Sequence, residues 1–340
     1  MLRVAIITNS LTGGGAERSM NILANELGTR ELEIILIAIN EGLDDAVKLE
    51  IPVISIGKIW RGSFRNTLKS YWRFQSVLGN KRPDVVIANC DLPEFFVALT
   101  PGKFRIIVTE HVSRPWYTRK LLGIITRNVL KLRGAHWVAV SNYLKIWPWD
   151  SEPEKILRNG VLFPAPIKST SKQELRRLIF IGRLAEQKNP EMFIALSDIL
   201  RIPAIVIGDG PLMAELKIQS SRNRSDVIFL GMQFDPWKTI KTGDLLVVPS
   251  NWEGDGLVVV EALSLGVPIL LSSIPEFKKF NLGEINYCEG LSNFKSTIDR
   301  YRNDINQLIP SAESRKNALA ERNIRQIGQE WHNFFDQIDQ

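Results

Sequence analysis

The chain has 340 residues, 44% hydrophobic and 24% charged, with a net charge of +6 at neutral pH; that length and apolar content suit two domains with buried cores and exclude a disordered chain. Its two cysteines, Cys90 and Cys288, lie in different halves without metal-ligand spacing or a disulfide framework, which points to a reduced, cytosolic setting. No run approaches the roughly 18 apolar residues of a membrane-spanning helix, and the apolar stretch after Met1 is too short for a signal peptide and reads as a buried first strand.

Apolar runs alternate with longer stretches of helical period, the pattern of parallel sheets covered on both faces. In the first half, strands are predicted near Val4–Thr8, Glu33–Ile39, Val53–Ile56, Val85–Ala88, Arg105–Val108 and Trp137–Val140. Gly13, Gly14 and Gly15 follow the first strand and open a helix that carries Ala16, Glu17 and Arg18. This spacing breaks the Gly-x-Gly-x-x-Gly dinucleotide fingerprint. Such a loop still lets an acceptor or donor phosphate approach the backbone, although a plain turn accounts for it as well.

Basicity belongs to the first half: residues 1–165 carry 22 Lys+Arg against 15 Asp+Glu, leaving +7, and the remainder carries 21 against 22, leaving −1. Between Lys58 and Arg82 there are seven cations and no acid, interleaved with Trp60, Phe64, Tyr71, Trp72 and Phe74. Arg61, Arg65, Lys69 and Arg73 recur at i+4 and form one helical face, with Phe64, Leu68, Tyr71 and Trp72 on another. This basic amphipathic helix is either an outer helix with a solvated face or an attachment to anionic lipid at the membrane's inner face. A second cluster, Arg114, Arg119, Lys120, Arg127, Lys131 and Arg133, favours lipid. Just after the fifth strand, His111 sits at the sheet's carboxyl edge, where it is a structural residue or a catalytic one.

Phe163 to Lys172, rich in Pro and Ser, is the predicted linker. The strand pattern then restarts near Leu178–Ile181, Ala204–Ile207, Val227–Leu230, Leu245–Val248 and Pro268–Leu271. The first of these ends at Gly182, and Arg183 and Lys188 follow it in the loop before a helix starting near Pro190. Two cations at a strand's carboxyl end suit a diphosphate. Leu245–Val248 feeds a turn with Glu253, Gly254, Asp255 and Gly256, and a helix predicted to begin near Gly256. Backbone N–H groups of Gly254, Asp255, Gly256 and Leu257 are expected to converge there on an anion. Glu253 is then placed for sugar hydroxyls. Glu261, about two turns into the helix, is placed for a pair of ribose hydroxyls. The tail from about Ala312 to Ile338 is helix-like, with Trp331, Phe334, Phe335 and Ile338 at helical spacing.

Taken in order, Gly13-Gly-Gly-Ala-Glu17, Glu110-His111, Asn159-Gly160-Val161, Gly182-Arg183-Leu184 with Lys188, Gly208-Asp209-Gly210-Pro211, Gly231 and Glu253 to Glu261 resemble the family 4 retaining glycosyltransferases. That resemblance implies an α/β GT-B fold: two facing Rossmann-like domains, residues 1–165 on the acceptor side and 166–320 binding the nucleotide sugar, with 321–340 a helix returning to the first domain. It further implies that Arg183 and Lys188 hold the donor diphosphate, Glu261 the ribose and Glu253 the donor sugar, with His111 beside the reacting sugar. Where the family commonly has an apolar residue after Glu-Gly, this chain has Asp255.

We read the chain as a retaining glycosyltransferase. Catalytic residues are His111, Arg183, Lys188 and Glu253; donor-binding residues are Gly14, Gly15, Gly182, Arg183, Lys188, Gly210, Glu253, Gly254, Asp255, Gly256, Leu257 and Glu261. No metal and no cofactor are expected, the nucleotide diphosphate sugar being a co-substrate, because Arg183, Lys188 and helix termini neutralise the diphosphate. The resemblance makes a UDP-sugar the first donor and a saccharide or polyprenyl-linked saccharide of a cell-surface polysaccharide the first acceptor. Expected partners are donor, acceptor and an anionic membrane in peripheral contact; nucleic acid is not expected. Two rivals stay open, a nucleotide-sugar epimerase of the same fold and a basic nucleic-acid-binding protein.

Overall fold

The computed structural model describes residues 1–11, 14–40, 49–59, 63–161, 172–223, 225–233 and 235–339. Gly13, Arg61 and the predicted linker up to residue 171 lie outside that set. The chain divides into two compact units, Met1–Leu162 with Glu321–Gln340, and Phe163–Ala320.

The first unit contains β1 (Leu2–Thr8), α1 (Gly15–Gly28), β2 (Leu32–Asn40), β3 (Val53–Lys58), α2 (Phe64–Lys81), β4 (Val85–Asn89), α3 (Asp91–Leu99), β5 (Arg105–Glu110), α4 (Lys120–Leu132), β6 (His136–Ala139) and the two-residue β7 (Lys155–Ile156). All pair in parallel in the order β3-β2-β1-β4-β5-β6-β7. Strands such as β1 and β4 are continuous apolar runs because helices cover both sheet faces. One face packs Val4, Ile6, Leu36 and Ile87 against Met20, Leu23 and Leu27 of α1. The other packs Ala5, Ile37 and Val86 against Phe74 and Leu78 of α2, Phe96 of α3 and Leu130 of α4.

The second unit follows the same logic with β8 (Arg177–Ile181), α5 (Pro190–Leu200), β9 (Ala204–Ile207), α6 (Met213–Asn223), β10 (Val227–Gly231), β11 (Asp244–Val248), α7 (Leu257–Leu265), β12 (Ile269–Ser272), α8 (Pro275–Lys278), β13 (Tyr287–Cys288), α9 (Gly290–Tyr301) and α10 (Ala312–Leu319). Its sheet is parallel in the order β10-β9-β8-β11-β12-β13. Asn189 caps α5, its side chain accepting from Met192 N–H, and Pro190 takes the first helical position.

The tail is two helices rather than one. After α10, the chain turns at Ala320–Asn323 and forms α11 (Ile324–Asp339), which belongs to the first unit. Ile327, Trp331, Phe334 and Phe335 join the α1 side of the first core. Gly328 permits the close approach, since a Cβ there would fall 2.6 Å from Glu26 Cγ. Asn159, Gly160 and Val161 brace the entry to α11. Arg322 Nη1 donates to the Asn159 carbonyl at 3.3 Å, Val161 bridges Asn323, and a Cβ on Gly160 would meet Ile324 at 2.5 Å.

Candidate functional site

In the second sheet, β8 leads outward to β9 and β10, and the chain then returns to lay β11 against the other side of β8. The carboxyl ends of β8 and β11 therefore flank the point where strand order reverses, the usual ligand position in an open parallel sheet. Gly182, Arg183 and Lys188 follow β8, and Glu253 to Leu257 follow β11. Asn251 ties the two loops together: its N–H donates to the Gln187 carbonyl at 2.8 Å and its Nδ2 to the Glu186 carbonyl at 2.7 Å, while its Oδ1 accepts from Asn189 Nδ2 at 3.2 Å.

That brace brings Lys188 onto Glu253, and the two form an ion pair. Glu253 is buried and also accepts from Ser250 Oγ at 3.0 Å. The backbone ahead of α7 turns through Gly256, the N-cap, at φ +71°, where a Cβ would lie 3.1 Å from Phe277 Cε1. Glycine is thus needed twice over at this position. Gly254 and Asp255 are fastened from behind: Lys279 Nζ donates to the Gly254 carbonyl and pairs with Asp255 Oδ1, both at 3.3 Å. Asp255 is buried in that pair. Leu257 opens α7, so the expected helix start is displaced by one residue. Glu261 is its fifth residue, a little over one turn in rather than two, and accepts from Trp237 Nε1 at 2.8 Å.

Next to this, the loops after β8 and β9 press together. Leu184 N–H donates to the Asp209 carbonyl at 2.9 Å. At Gly208 (φ +141°) a Cβ would sit 1.9 Å from the Gly182 carbonyl oxygen, and at Gly210 one would sit 2.4 Å from the Leu184 carbonyl oxygen. Gly210 is accounted for by this packing. Arg183 is exposed beside it.

Gly14, Gly15 and His111 belong to the first unit. Gly14 is the N-cap of α1 in an ordinary extended conformation (φ −75°), so no backbone strain requires glycine there. His111 is buried and follows Glu110, the last residue of β5. Behind it lies a buried cluster missed in the sequence. Arg127 of α4 donates through Nε and Nη2 to both Glu94 oxygens at 2.8 and 2.7 Å, and through Nη1 to Glu110 Oε2 at 2.5 Å. Trp116 Nε1 donates to Glu94 Oε2 at 2.9 Å. Burial pushes the Glu110 carboxyl up to about 7, against the pull of Arg127, with Glu94 adding to the rise. Burial and then the carboxylates of Glu17, Asp91, Glu94 and Glu110 push the Cys90 thiol up, which makes it a poor nucleophile. Arg127 thus serves the interior and does not contribute to a basic surface.

Ser250, Asn251, Lys279, Trp237 and the Glu94–Arg127–Glu110 cluster escaped the sequence reading. Of these, only Ser250 and Asn251 carried a signal, being beside Glu253 in the chain. Among the described residues, no group of three or more His, Cys, Asp or Glu could hold a metal ion, and no helix is long and apolar enough to cross a membrane.

Two family models match in succession. Residues 13–147 match "Glycosyltransferase Family 4" and residues 165–323 match "Glycosyl transferases group 1". The chain is 27% identical over 288 residues, 80% of either chain, to a Campylobacter jejuni alpha-1,4-N-acetyl-D-galactosaminyltransferase whose name gives a GalNAc-containing PP-undecaprenol saccharide as acceptor. It is 35% identical over 146 residues, 36% of this chain and 38% of the other, to an Escherichia coli UDP-Gal:alpha-D-GlcNAc-diphosphoundecaprenol alpha-1,3-galactosyltransferase. In fold it is similar to HepE of Anabaena, solved with UDP and glucose, with a TM-score of 0.81 at 16% identity over 99% of this chain and 100% of that one. With both of its Rossmann-like units matched and the fold shared along nearly its whole length, the chain belongs to the family 4 glycosyltransferases of GT-B fold.

Proposed function

We propose that the protein transfers a sugar, with retention and without a metal, from a UDP-sugar to a polyprenyl-diphosphate-linked saccharide in cell-surface polysaccharide synthesis. The observation that carries this is the Lys188–Glu253 pair at the reversal point of the second sheet, braced by Asn251 and adjoining the start of α7. A diphosphate entering there competes for Lys188. Once Lys188 turns to phosphate, Glu253 is released to accept from donor-sugar hydroxyls. Arg183 and the first-turn amides of α7 add positive potential to the same anion, and Glu261, oriented by Trp237, takes the ribose hydroxyls.

In this scheme the leaving diphosphate departs ahead of attack, fixed cations stabilise the charge it develops, and its oxygen takes the proton of the incoming hydroxyl. No protein nucleophile is required. His111 is assigned to the transfer step and Gly14 and Gly15 to close approach of substrate, on the family resemblance. The polyprenyl acceptor is suggested by the two relatives named above, and such an acceptor calls for peripheral contact with a membrane. The test is turnover of UDP-sugars with and without acceptor, in the presence of EDTA, followed by assignment of the new linkage. Acceptor-dependent transfer with the donor's anomeric configuration kept supports the proposal; inversion, or a strict need for a divalent metal, overturns it.

A further inference from the structure

Helix α4 is built inside out. Its buried face carries Gly123, Thr126, Arg127 and Leu130, and its outward face carries Leu121, Ile124, Ile125 and Leu132, with Leu121 73% and Leu132 89% exposed. An outer helix normally turns its charges to solvent and its leucines inward. Here the Glu94 and Glu110 carboxylates claim Arg127 for the interior, and the aliphatic residues face out. On α2 the core face is Ser70, Phe74 and Leu78, while Phe64 (81% exposed), Leu68 and Trp72 (60%) form an outward stripe at i, i+4 and i+8. Of the four cations predicted to form the lipid face, Arg65 and Lys69 are exposed, Arg73 is exposed and donates to the Ile56 carbonyl at 3.0 Å, and Arg61 lies outside the described residues; the aromatic and aliphatic stripe stands outward beside them.

Both helices cover the same face of the first sheet. Each follows a parallel strand and so starts at the sheet's carboxyl end, and the exposed apolar residues of α2, like Leu121, Ile124 and Ile125 of α4, lie in their first halves. Helix α3 lies between them, packed on α2 through Phe96 against Tyr71 and on α4 through the Glu94–Arg127 pair. Their surroundings hold one sign of charge. There is no acidic residue from Lys58 to Arg82 or from His111 to Trp149, whereas Arg65, Lys69, Arg114, Arg119 and Lys120 are exposed. A second copy of the same face would bring cations against cations. An anionic bilayer satisfies both the apolar stripes and the cations.

We propose that Phe64, Leu68 and Trp72 of α2 and Leu121, Ile124 and Ile125 of α4 enter the headgroup region of an anionic membrane, with Arg65, Lys69, Arg119 and Lys120 on lipid phosphates. This deepens the proposed function by setting the carboxyl edge that bears His111 at the level from which a lipid-linked acceptor is presented. The full chain is mixed with vesicles of phosphatidylglycerol and phosphatidylcholine, or of phosphatidylcholine alone, and co-sedimentation is measured without donor or acceptor. Binding to the anionic vesicles is expected. It should fall about tenfold or more in Leu121→Ser/Ile125→Ser and in Phe64→Ser/Trp72→Ser, since each buried apolar side chain is worth roughly a factor of ten. A melting temperature and UDP affinity like the parent's identify variants that fold.

No vesicle binding by the parent would overturn the proposal. So would binding lost only in Arg65→Gln/Lys69→Gln/Arg119→Gln/Lys120→Gln and kept in the serine variants, which marks attachment by charge alone. Dimers that the serine variants dissolve, without vesicle binding, would instead make the face a self-association surface. Turnover on a water-soluble acceptor analogue reports the transferase reading separately and should be unchanged in the serine variants.

Discussion

Lys188 and Glu253 neutralise one another while no diphosphate is bound, so removing either has a predictable and opposite effect on binding. Lys188→Ala removes a cation that matters most as the leaving group gains charge, and turnover should fall by about two to four orders of magnitude. Glu253→Gln frees Lys188, so affinity for UDP should hold or rise while turnover falls; titration calorimetry beside a rate assay separates the two, and a weakened UDP affinity would refute the exchange. Glu261→Gln should weaken nucleotide binding by roughly 1–3 kcal/mol, because a neutral amide replaces a charged acceptor. Glu110 makes a prediction about pH. Its carboxyl rises from an ordinary 4.5 to about 7 in the fold, so the folded state holds a proton that the unfolded state has lost. The associated stability is present below pH 4.5 and disappears as pH rises through 7. The melting temperature of Glu110→Gln should therefore fall less between pH 5 and pH 7.5 than the parent's, and parallel curves would contradict the assignment.

At the scale of elements, eleven of the strands were legible, most of them because a strand buried on both faces reads as an unbroken apolar run, as in Val4–Ile7 and Leu245–Val248. Of the four edge strands, β7 and β13 have two residues each and give no such run. Helical period revealed that α2 was two-sided, and the α4 segment read only as a cluster of cations; neither reading says which side of a helix faces in. Arg127 decided that for α4 through partners 17 and 33 residues away, Glu110 and Glu94. The Lys188–Glu253 pair spans 65 residues, and Trp237 lies in another loop again, so neither contact left a local trace. Gly208 stood out only as part of the Gly208-Asp209-Gly210-Pro211 fragment, with no reason for a glycine until the chain crossing it was known. Gly208→Ala drives a methyl into the Gly182 carbonyl and should cost roughly 2–4 kcal/mol, read as a lower midpoint in urea; an unchanged midpoint would show that the two loops part readily.

For the whole molecule, charge and chemistry are divided between the units. The first carries the basic surface, the inside-out helix and His111; the second, near neutral in net charge, carries the residues proposed to hold the diphosphate and the ribose. The chain is continuous from one to the other and back, since α11 closes the first core after the second unit is complete. Transfer at the reversal point of the second sheet is read from the rate of UDP release from a UDP-sugar, with and without an undecaprenyl-diphosphate-linked saccharide, in the parent and in Lys188→Ala. The parent should release UDP only with acceptor present and yield an extended saccharide, and Lys188→Ala should be slower by about two to four orders of magnitude. Equal rates in parent and variant, or conversion of the donor sugar without any acceptor, would contradict it.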